Sequence, residues 1–186
     1  KTLVSDARKK STPLTVAANN AKMEASVAAD NLAKVKAKAE IGSKDAASKA
    51  KQLSASSGKA TGIKLANAKK VEAAAKDVVA KKKEALAAAK DKQKAGQLKE
   101  EVKKAEAKAK EAAKATASIA KANDAAVASG KKVADALVTE AKKAGADAVA
   151  KQTKISEAAA KKAKDASSVA ASATKALAEA EAKVAH

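Results

Sequence analysis

Between Leu98 and Ile119 the sequence reads LKEEVKKAEAKAKEAAKATASI, and alternate steps of four and three from Leu98 meet Val102, Ala105, Ala109, Ala112, Thr116 and Ile119. That spacing is the seam of a heptad repeat, and a seam requires a second helix against it. Most of its side chains are single methyl groups. Axes that meet across such residues approach near the short end of the roughly 8–10 Å range, so backbone as well as methyl atoms supply dispersion contacts. One buried methyl contributes on the order of 0.8 kcal/mol; stability must accumulate over many layers, assisted by the helix propensity of alanine. A thick core is excluded by what remains of the chain: of 186 residues 58 are Ala, 28 are Val, Leu, Ile or Met, and Phe, Trp, Tyr and Cys are absent. Methyl-sized side chains cannot fill a globule of this length at native packing density. The class is therefore all-α, with a thin, long, Ala-rich heptad seam.

Thr12 followed by Pro13 reads as an N-cap with proline at the first helical position. From there the four-three stepping runs through Leu14, Ala18, Ala21, Ala25, Ala28, Leu32, Val35 and Ala39, then by Gly42 and Ala46 to Leu53. It stops in LSASSGKATG, where Ser, Thr and Gly offer turn chemistry in place of periodicity. A second run starts near Ile63, carries Val71, Ala75 and Val78 along one face, and ends at Val127 before Gly130, which suits a left-handed C′ position. A third takes Val133, Leu137, Ala141, Ala144 and Ala148, then Ala159, Ala163, Ala166, Ala170, Ala173, Leu177, Ala180 and Val184. The expectation is one elongated domain over 1–186: an antiparallel bundle of three helices, at about 13–53, 63–128 and 131–185, with turns at 54–62 and 128–131. At about 1.5 Å per residue, helices of 40–65 residues would be roughly 60–100 Å long. Gly96 and Gly145 are rival break points, and a break at Gly96 would make four helices. A single chain-long helix that pairs with another copy is also open.

Lys and Arg number 40 against 21 Asp and Glu, a net charge of +19. The excess is spread as +7 over residues 1–62, +8 over 63–130 and +4 over 131–186, with acidic residues interleaved, the pattern of a solvated helix face. Lys81, Lys82, Lys83, Lys90, Lys92 and Lys94 are the densest basic group, yet Arg8 is the one arginine and no aromatic is present for base stacking. Any nucleic-acid binding would be non-specific and would fall steeply with salt; no specific nucleic acid is expected as a partner. Alanine stripes lack the bulky anchors that seat an interfacial helix in lipid, and no apolar run approaches the roughly 20 residues that span a bilayer.

No motif carries catalysis. SASSGKATG misses the phosphate-loop pattern at Leu53 and Ala60 and follows no strand. The carboxylate pairs Glu100–Glu101 and Glu179/Glu181 diverge around a helix. His186 is the sole histidine and reads as the start of a purification tag. No catalytic, cofactor-binding or metal-ligating set is assigned, and the chain reads as no enzyme and as needing no cofactor. Absent cysteine excludes disulfides and thiolate metal sites. Asn19, Asn20, Asn31, Asn67 and Asn123 all lack Ser or Thr two positions on, so no N-linked glycan is expected.

KKAEAKAKEAAKATAS (103–118), KKKEALAAAKDKQKA (81–95) and SEAAAKKAKDA (156–166) resemble the Ala/Lys/Glu-rich helical region of bacterial TolA and, with the Ser/Gly turns and the Val/Leu/Ile seam, the trypanosomatid TolT family of surface proteins. That resemblance implies a helical ectodomain held at the parasite surface by a glycosylphosphatidylinositol anchor and seen by the host immune system; it brings no catalytic residues. KAKEAAKATAS (108–118) is also similar to one repeat of the late-embryogenesis-abundant proteins, but it does not recur at a period of 11. An alanine-rich antifreeze helix would need regular threonines, and Thr61, Thr116, Thr139, Thr153 and Thr174 are irregular. The leading expectation is a non-enzymatic, surface-displayed helical rod, a structural or interaction ectodomain and antigen. Host factors or antibodies would be its partners, self-association is open, and the membrane is met only through an anchor. Signal and anchor segments are expected outside these 186 residues. The alternative is a soluble stress-protective or stalk-like helical protein, and a lesser one a non-specific nucleic-acid binder.

Overall fold

The computed structural model describes residues 2–185 and is all-α: α1 spans Thr2–Ser56, α2 Lys59–Ala88 and α3 Lys92–Ala185, and no strand occurs among the described residues. His186 lies outside them. The helices divide between two compact units. One joins the residues up to Ala46 with those from Thr139 onward; the other comprises Ala47–Val138.

In the first unit α1 and α3 run antiparallel. Arg8 meets Glu181, Glu24 meets Lys162, and Ala39 lies against Gly145, one number rising as the other falls. The seam expected from Leu14 to Ala39 forms as spaced: Ala18, Ala21 and Ala28 are buried, and Leu14, Ala25, Leu32, Val35 and Ala39 are half-buried. It also extends upstream through Val4, Ala7 and buried Ser11. The N-cap expected at Thr12 is therefore incorrect, since Pro13 lies inside α1. Interior proline removes a backbone donor and costs about 3 kcal/mol. The packed turns on either side offset that cost, and the hydroxyls of Thr12 and Thr15 donate back to the carbonyls of Arg8 and Ser11.

Farther along, the strict four-three stepping fails in both helices. α1 takes two steps of four (Val35, Ala39, Ser43) where α3 does the same (Ala141, Gly145, Val149). Such a stutter locally unwinds a coiled coil. It leaves Gly42, Ala144 and Ala148, all expected in the seam, exposed. Ser43 and Gly145 take their places, and Ala39 comes close there: a Cβ on Gly145 would lie 3.1 Å from Ala39 Cβ and 3.5 Å from its Cα. Val184, also expected in the seam, is 49% exposed at the end of α3.

In the second unit, neither expected turn reverses the chain. The tail of α1 and then α2 run in the same sense against α3: Ser57 faces Gly130, Gly58 faces Val127, Thr61 bonds Asn123 and Lys83 pairs with Glu106. Residues 57–58 interrupt the helix without turning it back, and the Ser57 and Gly62 amides still donate to the carbonyls four residues earlier. The break expected at 128–131 is absent. α3 continues through Gly130, and no glycine among the described residues has a positive φ. Gly130 is needed for closeness, because a Cβ there would fall on the side chain of Ser57.

The reversal comes at Ala89–Asp91, earlier than the Gly96 alternative, and Gly96 is helical. Ala89 is extended, at ψ 116°. Asp91 Oδ1 accepts from the Gln93 amide at 2.7 Å, satisfying an orphan donor at the start of α3. This three-residue connection is a helical hairpin of ordinary length.

Of the face expected in α2, Ala75 turns inward, while Val71 and Val78 give way to the residues one position after them. Thr61, Leu65, Ala68, Glu72, Ala75, Val79, Lys82, Leu86 and Ala89 point inward, while Ile63, Val71 and Val78 are 64%, 62% and 46% exposed. The inward stripe holds both leucines of α2, and its two charged residues find partners on α3 or on their own helix, described below. Against it lie Leu98, Val102, Ala105, Ala109, Ala112, Thr116 and Ile119, all buried or half-buried as the heptad spacing predicts. Val133, by contrast, is exposed and Ala134 buried in its place. Apart from Val102, every buried apolar residue among the described residues is an alanine.

Candidate functional surface

Each antiparallel pair has two flanks. Residues one position before a seam residue form a leading flank and those one position after form a trailing flank. Like flanks of the partner helices meet: Arg8 and Glu181 join at 2.9 Å on the trailing flank, Glu24 and Lys162 at 2.8 Å on the leading one. These pairs are exposed, where an ion pair contributes at most about 1 kcal/mol. Their use is to fix which flanks face each other.

The three consecutive lysines singled out by sequence do not form one cluster. Lys81 pairs back to Asp77 at 3.0 Å, Lys82 reaches Glu101, and Lys83 reaches Glu106 at 2.8 Å, because successive helical residues are turned by 100°. Glu100 and Glu101 diverge likewise, to Lys103 and Lys82. Both carboxyls are held below the ordinary carboxylate range by those lysine hydrogen bonds first and by lysine charge second. Glu181 is engaged by Arg8.

The second unit contains a polar ladder that the spacing of apolar residues alone does not reveal. Thr61 Oγ1 donates to Asn123 Oδ1 at 2.8 Å, with the Gly58 carbonyl at 3.2 Å as a second acceptor. Glu72, whose side chain is 19% exposed, binds Lys76 at 2.6 Å and lies beside the Thr116 hydroxyl; the lysine first and the hydroxyl second lower its pKa. Thr116 itself is buried and donates to the Ala112 carbonyl. Among the described residues no buried side-chain polar atom lacks a partner.

Open apolar clefts follow the leading flank within each unit. In the first, Met23 and Val27 of α1 face Ile155 of α3, and Leu3 and Leu14 lie beside Ala173, Ala176 and Ala180. In the second, Leu53 lies beside Leu137. Met23, Val27, Leu3 and Ile155 thus line the edges of an alanine-rich seam; Met23 is 69% exposed. Among the described residues no three His, Cys, Asp or Glu side chains gather as a metal site, and no helix is long and apolar enough to cross a membrane. Compared with protein-family models, curated proteins and solved structures, the chain matches none.

Proposed function

We propose that the chain is a non-enzymatic helical ectodomain displayed at a cell surface, of the kind its resemblance to the TolT proteins implies. The observation that carries this reading is the distribution of side chains. Alanines hold nearly all of the buried positions, while the charged residues and half of the larger aliphatics, Met23, Val27, Ile63, Val71 and Ile155 among them, face outward. A helix pair held by methyl groups gives its chemical variety to the surface, and surface variety serves recognition by host factors, antibodies or a further copy. The segments 81–95, 103–118 and 156–166 support the assignment to an anchored parasite antigen through their composition.

The test uses the full reading frame expressed in a trypanosomatid. Antibody against this chain labels intact, unpermeabilised cells, and phosphatidylinositol-specific phospholipase C releases the label. Labelling that appears only after permeabilisation, with the protein in the cytosolic fraction, overturns the reading. The soluble stress-protective alternative predicts a coil spectrum by circular dichroism in dilute buffer, with helix gained on drying. The ectodomain reading predicts a helical spectrum with a cooperative melt.

A further inference from the structure

In the second unit the trailing flank of α2 alternates lysine and alanine in strict order: Ala66, Lys69, Ala73, Lys76, Ala80, Lys83, Ala87, Lys90. The lysines recur every seven residues and so stay on one side of the helix. The Lys83–Glu106 pair shows that this flank meets the trailing flank of α3, which adds Lys99, Lys103 and Lys110. All seven lysines are exposed; Glu106 is the single carboxylate within the two flank rows, and Glu72 and Glu100 reach them from neighbouring positions. Lys76, Lys83 and Lys103 have acidic partners, at 2.6, 2.8 and 2.9 Å. Lys69 acts on Glu72 through charge alone, and Lys90, Lys99 and Lys110 make no ion pair among the described residues. From Lys69 to Lys83 the row rises about 21 Å along α2, and Lys90 follows in the connection to α3. The alanines between leave each ammonium unshadowed, and Lys99 and Lys103, four apart on one helix, repel each other, a repulsion that the Glu100 carboxylate relieves at Lys103.

We propose that this lysine face is a binding lane for a linear sulfated polysaccharide. Ammonium groups are compact point charges that accept sulfate without demanding a fixed fork geometry. Charges repeated along a straight helix suit a chain that can lie beside them. Sequence-specific nucleic-acid readout needs contacts to base edges, and single strands need stacking platforms; the face supplies neither. A bilayer surface would need bulky apolar side chains to insert, and the floor between the lysines is alanine. The preference for a polysaccharide over nucleic acid rests on the surface-display reading, because an extracellular chain meets sulfated glycans.

Titration of the full chain with a labelled heparin decasaccharide at about 0.15 M salt tests the proposal. The purified chain is used, so a failure here is distinguishable from a failure of display, which the phospholipase experiment reports. The variant Lys69→Gln/Lys76→Gln/Lys83→Gln/Lys90→Gln weakens binding on the order of a hundredfold and reduces the salt dependence. A control with the same charge removed from the leading flank, Lys64→Gln/Lys81→Gln/Lys104→Gln/Lys108→Gln, stays within about threefold of the parent. Thermal melts establish that both variants remain folded. Three results overturn the proposal: no heparin binding by the parent, equal losses in the two variants, or binding to duplex DNA or phosphatidylserine vesicles as tight as to heparin.

Discussion

Replacing three glycines by alanine gives opposite signs if the packing is as described. Each of Gly42, Gly96 and Gly130 is helical, so each substitution gains about 1 kcal/mol of helix propensity. At Gly42 and Gly96 an added Cβ meets nothing within 4 Å, and that gain is realised. At Gly130 the Cβ falls on the Cβ and Oγ of Ser57. Ser57 sits at the end of α1 with its amide committed to the Leu53 carbonyl and its hydroxyl to Ser54, so it yields little. Overpacking of this kind costs about 1–3 kcal/mol. Taking the upper end for so direct an overlap, Gly130→Ala loses about 2 kcal/mol net. Urea unfolding followed by circular dichroism reads the three variants side by side. Gly42→Ala and Gly96→Ala raise the midpoint and Gly130→Ala lowers it. A Gly130→Ala variant as stabilised as the other two would refute the close approach of residues 57 and 130.

Pro13→Ala restores a helical hydrogen bond inside α1 and raises stability by up to about 3 kcal/mol; an unchanged melting temperature would place the helix start at Pro13. Val102→Ala, in the seam, costs about 2 kcal/mol, from two methyl groups at about 0.8 each plus a small cavity, whereas Val71→Ala stays within about 0.5. Equal losses in urea titrations would refute the orientation of α2. For pH the sign follows from depressed carboxyls: Glu40 beside Lys44, Glu72 beside Lys76 and then Thr116, Glu100 beside Lys103 and Glu101 beside Lys82 are all lowered from 4.5. Their stabilisation is fully present above that ordinary value and is lost as pH falls through the depressed ones. The melting temperature is therefore level from about pH 7 to 5 and falls below about 4.5, more steeply in the parent than in Glu72→Gln; parallel curves would contradict the Glu72 contacts.

Much of the seam was legible in the sequence. Leu14 to Ala39 and Leu98 to Ile119 keep an uninterrupted four-three rhythm, and the structure packs them on that rhythm. Elsewhere the rhythm was read from size alone, which failed for physical reasons. In α2 the eye follows Ile63, Val71 and Val78, but Leu65 and Leu86 lie on the neighbouring stripe, and polar Glu72 and Lys82 are tolerated there because partners satisfy them. The glycine-based turn at 130 failed because glycine serves two ends, a left-handed cap or a close contact, and a single sequence does not distinguish them. The true reversal falls in AAAKD, where Asp91 as a helix cap is the only signal. The lysine face was hidden because its members belong to two helices and meet only when α2 and α3 pair; along the chain their charge looked dispersed.

Amide hydrogen exchange across residues 50–135 tests the central claim most directly, because it reports where the helices stop. The packing described predicts slow exchange through 124–134, including Gly130, with fast exchange confined to Gly58 at the interruption and to the Ala89–Asp91 reversal. Fast exchange at 128–131 together with protection through 89–91 would contradict it and restore a three-helix bundle with turns at the glycines.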